Sequence, residues 1–260
     1  MKLSAFGVGL AILLPICVAG CASQSGGGSA GVSQQANTRA QTSARVHTEL
    51  AAQYYERAQL GVALEELNLA LQAEPKYAPA YSMRGLVRTE LREYQQADDD
   101  FKQSLRLDSG DAEAHNNYGW FLCQRGKESE SIEHFMAALK NPLYQTPEKA
   151  YLNAGLCSRN GGKTKDAEEF LQKALRVQPN MPEALLGMAE VSFANADYAG
   201  AKSYLMRFSS GNQSAMTAEN LWLAVRIERE LGDKMSEERY ASQLRQRFPD
   251  AREAQLLQRK

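Results

Sequence analysis

Small and large apolar residues recur along most of the chain with a spacing close to 34 residues. A small residue takes the same place in successive units, with Glu237 as the weakest match: Ala63, Ala97, Ser131, Ala167, Ala201 and Glu237. Four residues later a mostly large apolar residue follows: Leu67, Phe101, Phe135, Leu171, Leu205 and Ala241. A second small residue stands twelve residues before the first in five units: Ala51, Gly85, Gly119, Gly155 and Ala189. A repeat of this length predicts stacked helix pairs that share one continuous core.

The spacing has a physical reason, because a Gly or Ala on the first helix of a unit faces an Ala on the second and lets the backbones approach. Six units with two insertions of two residues give the boundaries 44–77, 78–111, 112–147, 148–181, 182–217 and 218–251. This pattern resembles the tetratricopeptide repeat. The resemblance implies an all-α, right-handed superhelical solenoid of six helix pairs, with a capping helix or tail over residues 252–260. The alternative, an ordinary helical bundle, does not explain six units in phase.

Residues 1–20 have the features of a secretory signal peptide, since residues 3–20 carry no charge and end in small residues. The sequence Val18-Ala19-Gly20-Cys21 resembles the lipobox of bacterial lipoproteins, which implies a lipid on Cys21. Ala22 follows where an Asp would retain such a protein in the inner membrane. The resemblance therefore implies a lipid anchor in the outer membrane, with the protein facing the periplasm. The alternative is an uncleaved anchor helix with an incidental cysteine.

Residues 21–43 are rich in Gly, Ser, Gln and Ala, and this composition predicts a flexible linker. The remaining chain is globular in composition, with 43% hydrophobic and 23% charged residues. Lys and Arg number 30 against 31 acidic residues. Such a balance disfavours a nucleic-acid binder, which would need an excess of basic side chains to neutralise phosphates. Beyond residue 20 there are only seven Val and two Ile, so a mainly β fold is excluded.

No pattern in the sequence predicts catalysis. Gly155–Thr164 ends in Gly-Lys-Thr, but the first glycine of a phosphate-binding loop is replaced by Cys157, and the segment falls at a helix–turn–helix corner. Three histidines fall in different helices without metal-ligand spacing: His47, His115 and His134. The acidic run Asp98–Asp100 points in several directions around a helix, so we expect a solvated face. We predict a non-enzymatic protein without cofactor or metal.

Cys123 is the twelfth residue of the third unit and Cys157 the tenth of the fourth. Both fall near the middle of first helices that are neighbours in the stack. In an oxidising periplasm this placement favours a disulfide between the two repeats. The alternative is a pair of small buried apolar residues.

In similar repeats the inner face of the first helices forms a groove that binds proteins. The corresponding positions here are mostly apolar: Tyr55, Leu86, Trp120, Leu152, Leu156, Leu186, Phe193 and Trp222. The alternative is that these side chains, Trp120 above all, belong to the core. Lys149, Asn117 and Asn153 stand near positions that clamp a peptide carboxylate in some relatives, but Ala52 and Leu86 take two others. We therefore expect a mainly apolar groove rather than a clamp.

Four segments carry a closer resemblance: Asn116–Cys123 (NNYGWFLC), Asn141–Tyr144 (NPLY), Ala150–Cys157 (AYLNAGLC) and Leu221–Arg226 (LWLAVR). Together with the lipobox and six repeats, they are similar to the type IV pilus biogenesis and stability lipoproteins, the PilF/PilW family. The resemblance implies an adaptor that binds the pilus secretin, or another pilus-assembly protein, and promotes its localisation, multimerisation or stability. The alternative is an envelope scaffold that recruits cell-wall hydrolases or serves outer-membrane protein assembly. We expect a monomer.

Overall fold

The chain adopts helices, turns and loops, without strands, over the residues described by the computed structural model, 28–211 and 216–257; side chains are described for 38–210 and 216–257. The helices are α1 (Gly28–Glu56), α2 (Leu60–Ala73), α3 (Ala78–Glu90), α4 (Tyr94–Leu107), α5 (Ala112–Gln124), α6 (Glu128–Lys140), α7 (Pro147–Asn160), α8 (Thr164–Val177), α9 (Pro182–Ala194), α10 (Tyr198–Gly211), α11 (Ala218–Leu231), α12 (Lys234–Arg247) and α13 (Arg252–Leu256). The chain divides into the units Met1–Arg39 and Ala40–Lys260, and the second holds the repeats.

The second unit is a tetratricopeptide-repeat solenoid of six helix pairs, from the part of α1 beyond Arg39 with α2 to α11 with α12, followed by the short helix α13. Each helix pair also packs against the next, and the cores of neighbouring repeats are continuous with one another. This arrangement confirms the all-α fold expected from the period, because no pair covers its apolar face alone.

Each pair packs through one close contact between its two helices. In the second, third and fourth repeats a glycine on the first helix meets a large side chain on the second, and a Cβ added at Gly85 would lie 2.8 Å from the Phe101 ring. The first and fifth repeats have Ala51 and Ala189 at the glycine position. The large side chain opposite them is a leucine instead of phenylalanine. A leucine does not by itself leave room for the extra methyl group, because a Cβ added at Gly155 would lie 2.7 Å from Cγ of Leu171 in the fourth repeat.

The sixth repeat reverses the sizes of the two residues. Val225 stands on the first helix where other repeats have Gly or Ala, and Ala241 on the second where others have Leu or Phe. Both are buried, at 0% and 4% exposure. In the sixth unit the larger side chain of this pair therefore comes from the first helix rather than the second.

The N-terminal part departs from the expected linker. Helix α1 begins at Gly28, so helix replaces much of the flexible segment expected over residues 21–43. The segment contains no proline and is rich in Ala and Gln, which are good helix formers. The signal peptide of residues 1–20 and the lipid on Cys21 concern residues outside the described ranges. Among the described helices, none has the length and apolar character to cross a bilayer.

The acidic run of α4 is not the solvated face expected from its sequence. Asp100 is 4% exposed and accepts hydrogen bonds from Arg84 at 2.9 and 2.7 Å and from Arg88 at 2.8 Å. Asp98 accepts hydrogen bonds from Lys102 and from the Tyr118 hydroxyl. Burial alone would raise the pKa of Asp98, but these hydrogen bonds outweigh it and lower the pKa. Within the run, the Asp99 side chain is the exposed one.

Candidate functional site

The residues predicted to line a groove lie on the first helices of all six repeats. Seven are half-buried: Tyr55, Leu86, Trp120, Leu156, Leu186, Phe193 and Trp222. Leu152 differs, because its side chain is 8% exposed and packs in the core with Leu171 and Met188. The expectation for Leu152 is therefore corrected: this residue holds the fourth and fifth repeats together and offers little surface to a partner.

The ninth residue of each unit forms a series across the first helices: Ala52, Leu86, Trp120, Leu156, Glu190 and Arg226. Leu86, Trp120 and Leu156 are here called the apolar row. They lie on α3, α5 and α7, which contact one another in turn. Each also packs against a buried cluster of its own region, Trp120 against the one that contains Cys123 and Phe135. The apolar row is thus a half-exposed surface supported by the core beneath it.

Contacts between successive first helices begin at the twelfth residue of several units. In the first repeat the Tyr55 hydroxyl donates a hydrogen bond to Glu90 Oε1 at 3.5 Å. Burial, together with the Glu90 charge, raises the pKa of Tyr55. In the fourth repeat Arg159 forms an ion pair with Glu190. These contacts fix the distance between neighbouring first helices at the edge of the apolar row.

The same twelfth position in the third repeat is Cys123. Cys123 and Cys157 form a disulfide with their Cα atoms 5.8 Å apart, a normal separation for this bond. The Ser131 hydroxyl, which donates to Gly119 O, lies 3.4 Å from Cys157 Sγ. Trp120 packs on this cluster, so the disulfide supports the central side chain of the apolar row.

Two of the three residues near the positions of a carboxylate clamp, the asparagines, serve the structure instead. Asn117 Nδ2 donates to Ser82 Oγ at 3.3 Å, and Asn153 Nδ2 donates to Asn116 Oδ1 at 3.0 Å. Both amides therefore bridge successive first helices, while Lys149 is exposed. The two amides are thus engaged between helices, and the mainly apolar groove stays a prediction.

Arg226 is a further residue of this face that the choice of apolar positions missed. Its guanidinium carbon lies 4.2 Å from the centroid of the Phe193 ring, and Phe193 packs at 5.4 Å against the ring of Tyr198. Trp222 lies one helical turn before Arg226 on α11. The signal that could have found Arg226 is its ninth position in the unit, which continues the series of Leu86, Trp120 and Leu156.

The glycine-rich turn after α7 does not form a phosphate cradle. Gly162 adopts a φ of +74°, which a glycine tolerates without strain. The backbone amides of Gly161, Gly162 and Lys163 all donate to carbonyl oxygens in the last turn of α7. None of these three amides is left to bind an anion, so the turn ends one helix and leads into the next.

His115 and His134 face each other between α5 and α6 with their Nδ1 atoms 2.9 Å apart. The other nitrogen of His115 lies 3.2 Å from the Ser109 carbonyl, and the Tyr118 ring packs edge-on against His134 at 4.6 Å. Burial, aided by the neighbouring His115, lowers the pKa of His134 to about 4. In the described part of the chain no group of three His, Cys, Asp or Glu side chains could hold a metal ion.

The chain matches known proteins in both sequence and structure. Two descriptions of the tetratricopeptide repeat family match residues 78–111 and 161–213. The type IV pilus assembly protein PilF of Pseudomonas aeruginosa is 28% identical over 212 residues, which are 82% of this chain and 83% of that protein.

Two solved structures superpose over most of the chain. The crystal structure of PilW, described as a widely conserved type IV pilus biogenesis factor, is 32% identical with a TM-score of 0.77, covering 82% of this chain and 97% of PilW. A structure of Pseudomonas aeruginosa PilF is 27% identical with a TM-score of 0.77, covering 84% of this chain and 98% of that one.

Proposed function

The chain belongs to the tetratricopeptide-repeat proteins of type IV pilus biogenesis, and from this premise we propose that it is a non-catalytic adaptor whose first-helix face binds the pilus secretin. The apolar row is the observation that carries the proposal. Leu86, Trp120 and Leu156 stand half-exposed on three neighbouring helices, and each rests on a packed core. A firm apolar surface of this kind suits a protein partner, because burying it on binding releases water at little cost in side-chain entropy.

A lipid on Cys21 completes the proposed role. The lipobox supports an anchor in the outer membrane, from which the repeats would meet secretin subunits in the periplasm. Binding there would promote localisation of the secretin, formation of its multimer, or stability of the assembled ring. The protein would act as a monomer, so that one first-helix face engages one partner segment.

The test begins with deletion of the gene. Membrane fractions are run on a gel that preserves the secretin multimer, and surface pili are counted on the same cells. We expect both to be lost and to return with the wild-type gene but not with Cys21→Ala. Lost pili with an intact multimer would move the role to fibre stability. Unchanged pili and multimer would refute the proposal and favour an envelope scaffold with other partners.

A pair of variants then tests the face itself. Leu86→Glu places a charge in the apolar row, and we expect it to reduce complementation of the deletion. Leu69→Glu is the matched control, since Leu69 is a 43% exposed leucine on a second helix. Both proteins are compared at equal amounts in the membrane fraction. Equal complementation by the two variants would argue against the apolar row as the binding surface.

A further inference from the structure

We propose that Arg226, stacked on Phe193 beside Trp222, is the docking point for an aspartate or glutamate side chain of the partner protein. The inference rests on the proposed function of the first-helix face and adds the chemistry that the partner must supply. The apolar row would hold apolar side chains of the same partner segment. Arg226 would fix where along the repeats the segment binds.

The first argument is that Arg226 has no partner for its charge. Other arginines of this face form ion pairs, Arg159 with Glu190 and Arg229 with Glu237. Within the described ranges Arg226 is exposed and forms no ion pair, and its guanidinium lies over the Phe193 ring. An exposed cation without an ion pair is available to a carboxylate from another molecule.

The second argument is the geometry of stacking. A ring that covers the flat side of a guanidinium leaves the N–H groups at its edge free to donate. These groups match the two oxygens of a carboxylate, so two parallel hydrogen bonds can form. The contact with Phe193 at 4.2 Å holds the guanidinium before the partner arrives. Pre-organisation of a long side chain in this way lowers the entropy lost on binding.

The third argument concerns which anion fits. Glu219 and Glu230 are exposed on the same helix as Arg226, seven and four residues away from it. Their charges disfavour a polyanion such as a nucleic acid, which needs many cations. A single carboxylate with apolar neighbours fits better, because Trp222 presents a half-buried indole next to Arg226. Arginine and tryptophan are the residues that most often dominate the energy of protein interfaces.

The experiment uses the full chain in cells, with a benzophenone amino acid in place of Trp222 to crosslink whatever lies beside Arg226. Crosslinked peptides are identified by mass spectrometry. We expect segments that contain an Asp or Glu next to apolar residues, and a loss of at least tenfold in crosslink yield with Arg226→Glu. Replacement of that acidic residue of the partner by Lys should restore the crosslink yield of the Arg226→Glu protein.

Arg125→Glu is the matched control. Arg125 is exposed and lies 4.1 Å from the centroid of the Tyr94 ring, but at the turn between α5 and α6. It should crosslink like wild type, and Arg226→Lys should retain part of the yield because it keeps the charge. No crosslinked partner, crosslinks to segments without an acid, or equal yields from Arg226→Glu and Arg125→Glu would each overturn the inference. The deletion experiment above tests the proposed function separately, since its outcome does not depend on Arg226.

Discussion

A Cβ atom added at Gly119 would lie 2.8 Å from Cε1 of Phe135, closer than two such carbons pack in proteins. The two helices of the third repeat therefore meet where backbone touches an aromatic ring. We expect Gly119→Ala to lower the free energy of unfolding by about 1–3 kcal/mol, because the added methyl group overpacks this contact. Chemical denaturation followed by circular dichroism measures the change.

Gly61→Ala is the control for this substitution. Gly61 lies near the start of α2, and an added Cβ would have no heavy atom within 4 Å. Here alanine should raise the free energy of unfolding by up to about 1 kcal/mol, because it restricts the unfolded chain and favours helix. Destabilisation of equal size at both sites would contradict the explanation by close contact.

The double variant Gly119→Ala/Phe135→Leu tests whether the two residues are matched in volume. Alanine with leucine is the pairing already present in the first repeat as Ala51 and Leu67. We expect the double variant to be more stable than the sum of the single changes predicts, by at least about 0.5 kcal/mol. Simple additivity in the double-mutant cycle would show that the contact between the two residues is not the cause of the destabilisation.

Asp100→Asn should be strongly destabilising, by about 3 kcal/mol, because it leaves Arg84 and Arg88 without the buried carboxylate that pairs with both. Asp99→Asn changes the neighbouring, exposed acid and should shift the free energy of unfolding by less than about 0.5 kcal/mol. Urea midpoints of the two variants against wild type give the comparison. Similar midpoints would mean that the ion pair contributes nothing net.

Reduction of the Cys123–Cys157 disulfide should lower the free energy of unfolding by about 3–4 kcal/mol. The bond closes a loop of 34 residues, and the entropy restored to the unfolded chain on opening such a loop has this size. Denaturation with and without a reductant measures it, and Cys123→Ser/Cys157→Ser should be insensitive to the reductant. Two free thiols in the unfolded, unreduced protein would show that the bond does not form.

Stability should fall as the pH is lowered from about 6.5 towards 4, in part through His134. Its pKa of about 4 lies below the ordinary value of 6.5. The unfolded chain therefore binds a proton in this window that the folded protein does not, and protonation favours unfolding. Because the ring is half-exposed, we expect an effect of about 1 kcal/mol rather than the full value of the pKa difference.

His134→Phe isolates this contribution from that of other titrating groups. Phenylalanine occupies the equivalent place in the fourth repeat, at Phe170, so the ring can be accommodated. Thermal unfolding is followed from pH 7 to pH 4 for both proteins. The variant should lose less stability than wild type over this range, and parallel curves would count against a role for His134.

The period of the sequence was sufficient for the fold because each unit repeats the same packing problem. A small residue such as Gly85 opposite a large one such as Phe101 lets the two helices pack closely, and this packing recurs wherever the spacing recurs. The burial of Asp100 could not be predicted in the same way. It depends on two arginines of the preceding helix, and no local pattern identifies that pairing.

The candidate face was predictable in its apolar part and less so in its charges. Half-buried Leu86 and Trp120 follow from their places in the unit. Leu152 has an equally suitable place but is covered, because it packs with Leu171 and Met188. Arg226 was missed because a search for apolar side chains does not consider a cation whose flat side covers an aromatic ring.

The contacts between successive first helices also limit how this protein can evolve. A hydroxyl meets a carboxylate at Tyr55, a disulfide forms at Cys123, and a guanidinium covers a ring at Phe193, so each junction has its own chemistry. Identical repeats can be duplicated or lost by recombination without harm to their interfaces. Here, loss of the fourth repeat would set Cys123 opposite Val191 and remove the disulfide altogether. The contacts between first helices therefore depend on the present number and order of repeats, although every repeat has the same helix-pair fold.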